Sequence, residues 1–345
     1  RAWKRCEALG LPRAIAITGL DKENADFEGT VATLQDLWGA RCEVVTFPTD
    51  DKKGVVDALA AQGGKADEIR ARLTDVAAES SDALIEKVLN GETLSADELS
   101  GGLRSAVVQA KFIPIFALMA RQSVGLDELM TGFARLMPSP ADRPAKDADG
   151  KDVNPAADAP LVAQVWRSIN DPFVGQLTVA RIWGGTLKEK SEVFNATKEQ
   201  KESVGAVYFL NGKKSDTVPE AQAGDVVALA KLKATTLNDT LCAPGKPVKL
   251  APIVFPNPVV SFAVTPKNQT DDDKLGPGLH RVADDDPTIH VQRNEATHEL
   301  IITGMGDVQI DAAMERMKAR SKVEVTLSTP KVAYKETVTA KGEGH

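Results

Sequence analysis

The sequence predicts a multidomain chain: an α/β part, then an all-β barrel, then a second α/β unit. Three observations predict it. Strand and helix patterns alternate up to residue 137, as layered α/β structure requires. Between residues 161 and 250 the helical period disappears, and short strand patterns are punctuated by Gly-Gly, Asn-Gly and Ala-Gly-Asp. From residue 259 to 329 the patterns run strand, helix, strand, strand, helix, strand, which is the split βαβ order of a ferredoxin-like fold. A chain of 345 residues is long enough for two or three domains.

The α/β part spans residues 1–137. Residues 11–20 (LPRAIAITGL) read as a buried strand ending in a turn, and residues 25–38 have helical spacing. Residues 43–48 form another short strand. Helices are predicted over 80–89 and 95–109, each opened by a serine. Residues 111–116 (KFIPIF) form a continuous apolar run fit for a buried parallel strand, and residues 126–136 are the helix that follows.

Residues 138–160 are rich in Pro, Ala, Asp and Lys and read as an exposed linker. The barrel over 161–250 is built from short strands such as GQLTVARIWGGTL and AGDVVALAKL, with KPVKL as the last. Gly184-Gly185 and Gly224-Asp225 fit hairpin turns that need positive φ. Residues 251–258, with Pro252, Pro256 and Pro258, form a second linker.

In the last unit, residues 258–265 alternate apolar and polar at period 2. Thr270 is an expected N-cap, followed by acids that suit a helix N-terminus. Pro277 falls inside that helix, where proline removes a hydrogen bond at a cost of about 3 kcal/mol. The helix is therefore expected to start or bend at Pro277. Gly304-Met305-Gly306 opens a second helix with Ile310, Ala313, Met314 and Met317 on one face. Residues 322–328 close the unit as a strand, and Pro330 stops it.

Composition bounds the function. The net charge of −7 leaves any nucleic-acid contact to local basic patches. Lys188, Lys190, Lys198 and Lys201 form one such cluster. They are interleaved with Glu189, Glu192, Glu199 and Glu202, which favours a solvated face over an RNA contact. The three cysteines form no metal or disulfide pattern, which suits a reducing cytoplasm. His280, His290, His298 and His345 have no mutual metal spacing and read as surface residues. No apolar run reaches the roughly 18 residues of a membrane span.

Several landmarks together resemble translation elongation factor G, over nearly the whole chain. They are Pro266-Lys267 at a strand end, Asp286-Pro287-Thr288 after a helix, Gly304-Met305-Gly306, and the run Pro330 to Thr337. These lie in the part similar to the family's third domain. Residues 171–195 and 223–241 resemble its second domain, the translation-factor β-barrel.

The stretch LPRAIAITGLDKENADF resembles the place where an Asn-Lys-x-Asp motif reads the guanine base. Here Thr18, Gly19, Leu20 and Asp21 stand at those positions. The resemblance implies that Asp21 accepts from guanine, while the lysine stem that packs over the base is lost. An aspartate after a strand is also a common helix cap. Met119-Ala120 aligns with the family's Ser-Ala pair near the guanine oxygen, with the alanine retained. Thr18, Gly19, Asp21, Met119 and Ala120 are thus the candidate cofactor-binding residues, and neither catalytic nor metal residues are assigned.

No Gly-x-x-x-x-Gly-Lys-Ser/Thr phosphate loop occurs in the chain. The resemblance therefore implies a fragment: the C-terminal half of a P-loop GTPase G domain, the second domain, the third domain, and residues 330–345 leading toward an elongated fourth domain. After the Asp21 region, either the family's insertion is short here or residues around Ala60–Gly64 are missing. The whole parent would hydrolyse GTP with Mg²⁺ on the ribosome, contact rRNA and ribosomal proteins, and move tRNA and mRNA as a cytoplasmic monomer. The alternatives are a divergent ribosome-binding paralogue without catalysis, and a ribosome-protection or recycling GTPase.

Overall fold

The computed structural model describes residues 2–171, 175–212, 214–334 and 342. The chain divides into two compact units, Arg1–Arg143 and Pro144–His345.

The first unit runs α1 (Ala2–Ala8), β1 (Ile15–Thr18), α2 (Phe27–Trp38), β2 (Cys42–Val44), β3 (Thr46–Pro48), β4 (Val55–Asp57), α3 (Lys65–Ala78), α4 (Asp82–Leu89), α5 (Ala96–Val108), β5 (Ile113–Leu118) and α6 (Leu126–Leu136). One parallel sheet has the order β1-β5-β2. Every residue of β5 is buried. A strand covered on both faces tolerates only such an unbroken apolar run. Phe112, Phe116, Leu73 and Leu103 fill the core around it.

The strand expected over 43–48 is two strands in two sheets. Cys42–Val44 pairs with β5, whereas Thr46–Pro48 pairs with β4 as an antiparallel hairpin. At the switch, Val45 N–H still donates to Ile115 O at 2.8 Å. The Thr46 hydroxyl then accepts from Ala117 N–H at 2.8 Å, in place of a ladder carbonyl. The expected serine caps also part company. Ser95 makes a full capping box with Glu98, whereas α4 begins at Asp82: Ser80 donates to Ala77 O at 2.7 Å instead, and Ser81 stands at the N-cap without a side-chain bond. The elements α1, β4 and α3 went unread in the sequence. α1 is held by Trp3 stacked on Trp38 at 3.7 Å, with the Arg13 guanidinium 4.5 Å from the Trp3 ring.

The second unit begins with β6 (Val162–Asp171), β7 (Gly175–Gly184), β8 (Thr186–Lys188), β9 (Glu192–Asn195), β10 (Gln200–Ser203), β11 (Val207–Asn211), β12 (Lys214–Val218), β13 (Glu220–Gln222), β14 (Val226–Ala230) and β15 (Thr240–Cys242). Eight of these form an antiparallel sheet in the order β10-β9-β15-β6-β7-β14-β11-β12, and β13 pairs with β8. Val165, Ile182, Leu187, Val227, Leu229 and Leu241 pack in its core. Gly185 and Gly224 take φ of +69° and +102° as expected, but their turns are not hairpins: β8 and β13 pair with each other, whereas β7 and β14 belong to the large sheet. The expected strand KPVKL makes only one isolated bridge, Leu250 to Asp147.

The linker over 138–160 is not exposed throughout. Val153 is buried in a cluster with Val162 and Leu250, and a Cβ on Gly184 would stand 2.5 Å from Asn154 O. This segment is packed on the sheet because its few apolar residues find a shared apolar patch there.

The unit closes with β16 (Val260–Pro266), α7 (Asp272–Asp285), β17 (His290–Arg293), β18 (Leu300–Gly304), α8 (Asp307–Ser321) and β19 (Val325–Ser328). The sheet order is β17-β18-β16-β19, antiparallel throughout. Leu275, Leu279 and Val282 of α7 meet Ile310, Ala313 and Met317 of α8 in one core. α7 does not start at Pro277. It starts at Asp272 and passes through the proline, with Asp271 rather than Thr270 at the N-cap. Pro277 leaves the Asp273 carbonyl without its helical donor, but Asp273 is exposed and water can supply one. The end of the predicted Pro330–Thr337 run lies outside the described residues, as do His345 and most of 330–345. His280, His290 and His298 are all exposed, and His298 takes φ of +59°.

Candidate functional site

The parallel β1–β5 pair sets the geometry. Thr18 is opposite Leu118 at the last rung of the pair. Parallel strands end on the same side, so the loop carrying Gly19 and Asp21 and the loop carrying Met119 and Ala120 leave the sheet together. In open α/β sheets this end collects ligands.

The first loop is a tight turn. Gly19 has φ of +76°, and its carbonyl accepts from Lys22 N–H at 3.1 Å. Leu20 is 4% exposed and anchors the loop in the core. Asp21 and Thr18 are exposed. Asp21 is not a helix cap. Asp26 does that work for α2, accepting from Gly29 N–H at 2.9 Å. The Asp21 carboxylate makes no hydrogen bond or ion pair within the described residues.

The second loop is fixed from inside. Met119 is fully buried, so it offers only its backbone outward. Its N–H donates to Val124 O at 3.0 Å. Ala120 is exposed and opens a 3₁₀ turn over Ala120–Gln122, and Ser123 takes φ of +58°. Gly125 is obligatory here: its φ is +82°, and a Cβ would stand 2.7 Å from Ala117 O and 2.9 Å from Val55 Cγ2. The Ala120 N–H is not taken up by a hydrogen bond within the described residues.

Thr18 thus ends β1, and the other four residues named from the sequence stand in the two segments that follow the paired strands. Their chemistry fits the edge of a base: one free carboxylate for ring N–H donors and one free N–H for a carbonyl oxygen. The same residues do not fit phosphates or Mg²⁺. The sequence has no phosphate loop, and among the described residues no group of His, Cys, Asp or Glu is arranged to hold a metal ion.

The basic cluster of the second unit is neutralised. Lys188 pairs with Glu220 at 3.9 Å, Lys190 with Glu189 at 3.3 Å, Lys198 with Asp239 at 3.4 Å, and Lys201 with Glu192 at 3.0 Å. Lys198 belongs to a buried network. Asn195 donates to Asp239 at 2.8 Å and to Thr235 at 3.2 Å, while Glu202 accepts from Ala234 N–H at 2.8 Å and from the Thr235 hydroxyl at 3.1 Å. These bonds pin the loop between β14 and β15.

In the last sheet, two sequence landmarks meet through Gln309. Its Oε1 accepts from Met305 N–H at 2.7 Å, and its Nε2 donates to Asp286 Oδ2 at 2.9 Å and Thr288 Oγ1 at 2.7 Å. Burial works to raise the Asp286 carboxyl. Hydrogen bonds from Thr288 and Gln309 outweigh it and hold the carboxyl below its usual range. Nothing in the sequence marks Gln309. It is an ordinary polar residue in the first turn of a helix.

Among the described residues no helix is long and apolar enough to cross a membrane. Residues 160–244 match the family model for Elongation factor G domain 2, and residues 255–329 match that for Elongation Factor G, domain III. A crystal structure of a protein from Thermus thermophilus resembles the chain with a TM-score of 0.82 at 27% identity, covering 96% of this chain and 51% of that one. The chain therefore spans about half the length of that relative. Residues 160–244 and 255–329 thus carry two domains of the elongation factor G family, in an architecture shared with that relative.

Proposed function

We propose that the chain is part of a translational GTPase of the elongation factor G type, which acts on the ribosome and couples GTP hydrolysis to movement of tRNA and mRNA. Residues 1–137 serve as the base-reading half of a P-loop G domain. The eight-stranded sheet is its translation-factor barrel, and the unit from β16 to β19 is its ferredoxin-like third domain; the strand orders support both assignments. The observation that carries the reading is the register of Thr18 against Leu118, which brings two candidate base-contacting loops to one sheet end. Asp21 accepts from the guanine edge and Ala120 N–H donates to its oxygen. Thr18, Gly19 and Met119 shape the loops. GTP and Mg²⁺ are the cofactors of the whole protein, with phosphates and metal held by segments outside this chain. The protein works as a cytoplasmic monomer whose partners are rRNA and ribosomal proteins.

Ribosome-stimulated GTP hydrolysis by the full-length protein tests this. Stimulated turnover that falls sharply in an Asp21→Ala variant is the expected result. A full-length protein that binds ribosomes yet never turns over GTP would establish the second reading, a non-catalytic ribosome-binding paralogue. One observation favours that alternative: position 19 is a glycine in a left-handed turn, so the usual lysine is missing. A ribosome-protection or recycling GTPase would show the same chemistry with a different product complex.

A further inference from the structure

We infer that Lys22 supplies the side chain that covers the face of the purine in the site proposed above; the inference rests on that reading. A base held by Asp21 and Ala120 is held by its edge alone. Its flat faces still need cover, and an aliphatic stem ending in a cation is well suited, because the stem is apolar and the ammonium is attracted to the ring.

Position 19 cannot provide that stem. Gly19 lies at φ of +76°, a conformation that side-chain-bearing residues rarely adopt, so a lysine there would be strained. Lys22 fills the gap. Its Cε and Cδ lie 3.6 and 3.8 Å from the point where a Cβ on Gly19 would stand. The turn fixes this return, with Lys22 N–H donating to Gly19 O at 3.1 Å and Ala25 N–H to Lys22 O at 3.1 Å. The outer half of the stem therefore passes within van der Waals contact of the point where a residue-19 side chain would begin.

Lys22 is also free to act. It is exposed, and its ammonium makes no hydrogen bond or ion pair within the described residues. The neighbouring Lys52, by contrast, is engaged with Ala25 O at 3.1 Å. Asp26 is likewise committed to capping α2.

The test titrates guanosine monophosphate and adenosine monophosphate into the 345-residue chain, followed by NMR shifts of the 18–22 amides. The chain is expected to prefer the guanine nucleotide. Lys22→Ala should weaken that binding about two- to fivefold, and Lys22→Arg should retain it. Asp21→Ala, the control for the base site itself, should abolish the preference. If Asp21→Ala abolishes the preference while Lys22→Ala binds like the parent, the Lys22 inference is overturned and the base site stands. Arginine failing as badly as alanine also overturns it. No guanine preference in the parent chain, or one that survives Asp21→Ala, overturns the base site and the inference with it.

Discussion

Thr18 and Leu118 lie side by side at the C-terminal rung of two parallel strands, although most of the first unit separates them in sequence. Everything proposed for the base site depends on that single rung. Shifting β1 by one residue would turn Asp21 toward the opposite face and bring Leu20 out of the core, where it is now 4% exposed. The rung also explains why the site can be half-formed. Base-edge groups are local to two loops, whereas phosphate and magnesium groups come from other segments.

The chain alone should therefore bind GTP very weakly. Nothing in its sequence cradles phosphates. Isothermal titration is the check, and micromolar affinity for residues 1–345 would contradict the division of the site.

Asp239 should be a costly polar loss in the second unit. It is 3% exposed and takes bonds from Asn195 and from Thr236 N–H, both at 2.8 Å. Asp239→Ala leaves those donors unmet, at a cost of about 1–3 kcal/mol. Asn195→Ala should cost a similar amount, and the double variant less than the sum, because both belong to one network. Urea denaturation of the single and double variants decides it; strict additivity would mean that the network is not coupled.

Gln309→Ala should destabilise the last unit by about 1–2 kcal/mol, since Met305 N–H and Asp286 each lose a partner. Asp286 adds a pH dependence. Its folded carboxyl sits below its unfolded value of about 4, so its contribution is present above that value and lost as pH falls through the folded one. Acid melting curves of the parent and of Asp286→Asn should differ above pH 4 and converge below it. Parallel curves over that range would show that Asp286 does not titrate with folding.

The connection between the large sheet and the last unit should hinge within residues 255–258. Its first half is tied down: Gln164 donates to Ala251 O at 2.8 Å, and Ile253 N–H donates to Asn238 Oδ1 at 2.8 Å. Pro256 and Pro258 keep the remainder short and stiff. Small-angle scattering and independent crystal forms should show the last unit keeping its internal fold while its orientation changes. A constant, mostly apolar interface well above about 1,500 Å² would refute the hinge.

The sequence by itself determined what local chemistry can encode. The unbroken apolar run of β5, the Ser95 cap, the helix face of Ile310, Ala313, Met314 and Met317, and the strand-helix order of the last unit were all legible, because each depends on residues within a turn or two of one another. The five candidate site residues were legible through resemblance rather than through periodicity. Only the tertiary structure decided the rest. It split residues 43–48 between two sheets, because Thr46 could replace a ladder carbonyl with its hydroxyl. It assigned the α2 cap to Asp26 and left Asp21 free. It carried α7 through Pro277, because packing of Leu275, Leu279 and Val282 against α8 outweighs one lost hydrogen bond. It joined Asp286 to Met305 through Gln309 and laid Lys22 across Gly19. Each of these rests on contacts between particular atoms in a turn or between elements, and such contacts leave no period or composition in the chain for a reader of the sequence to find.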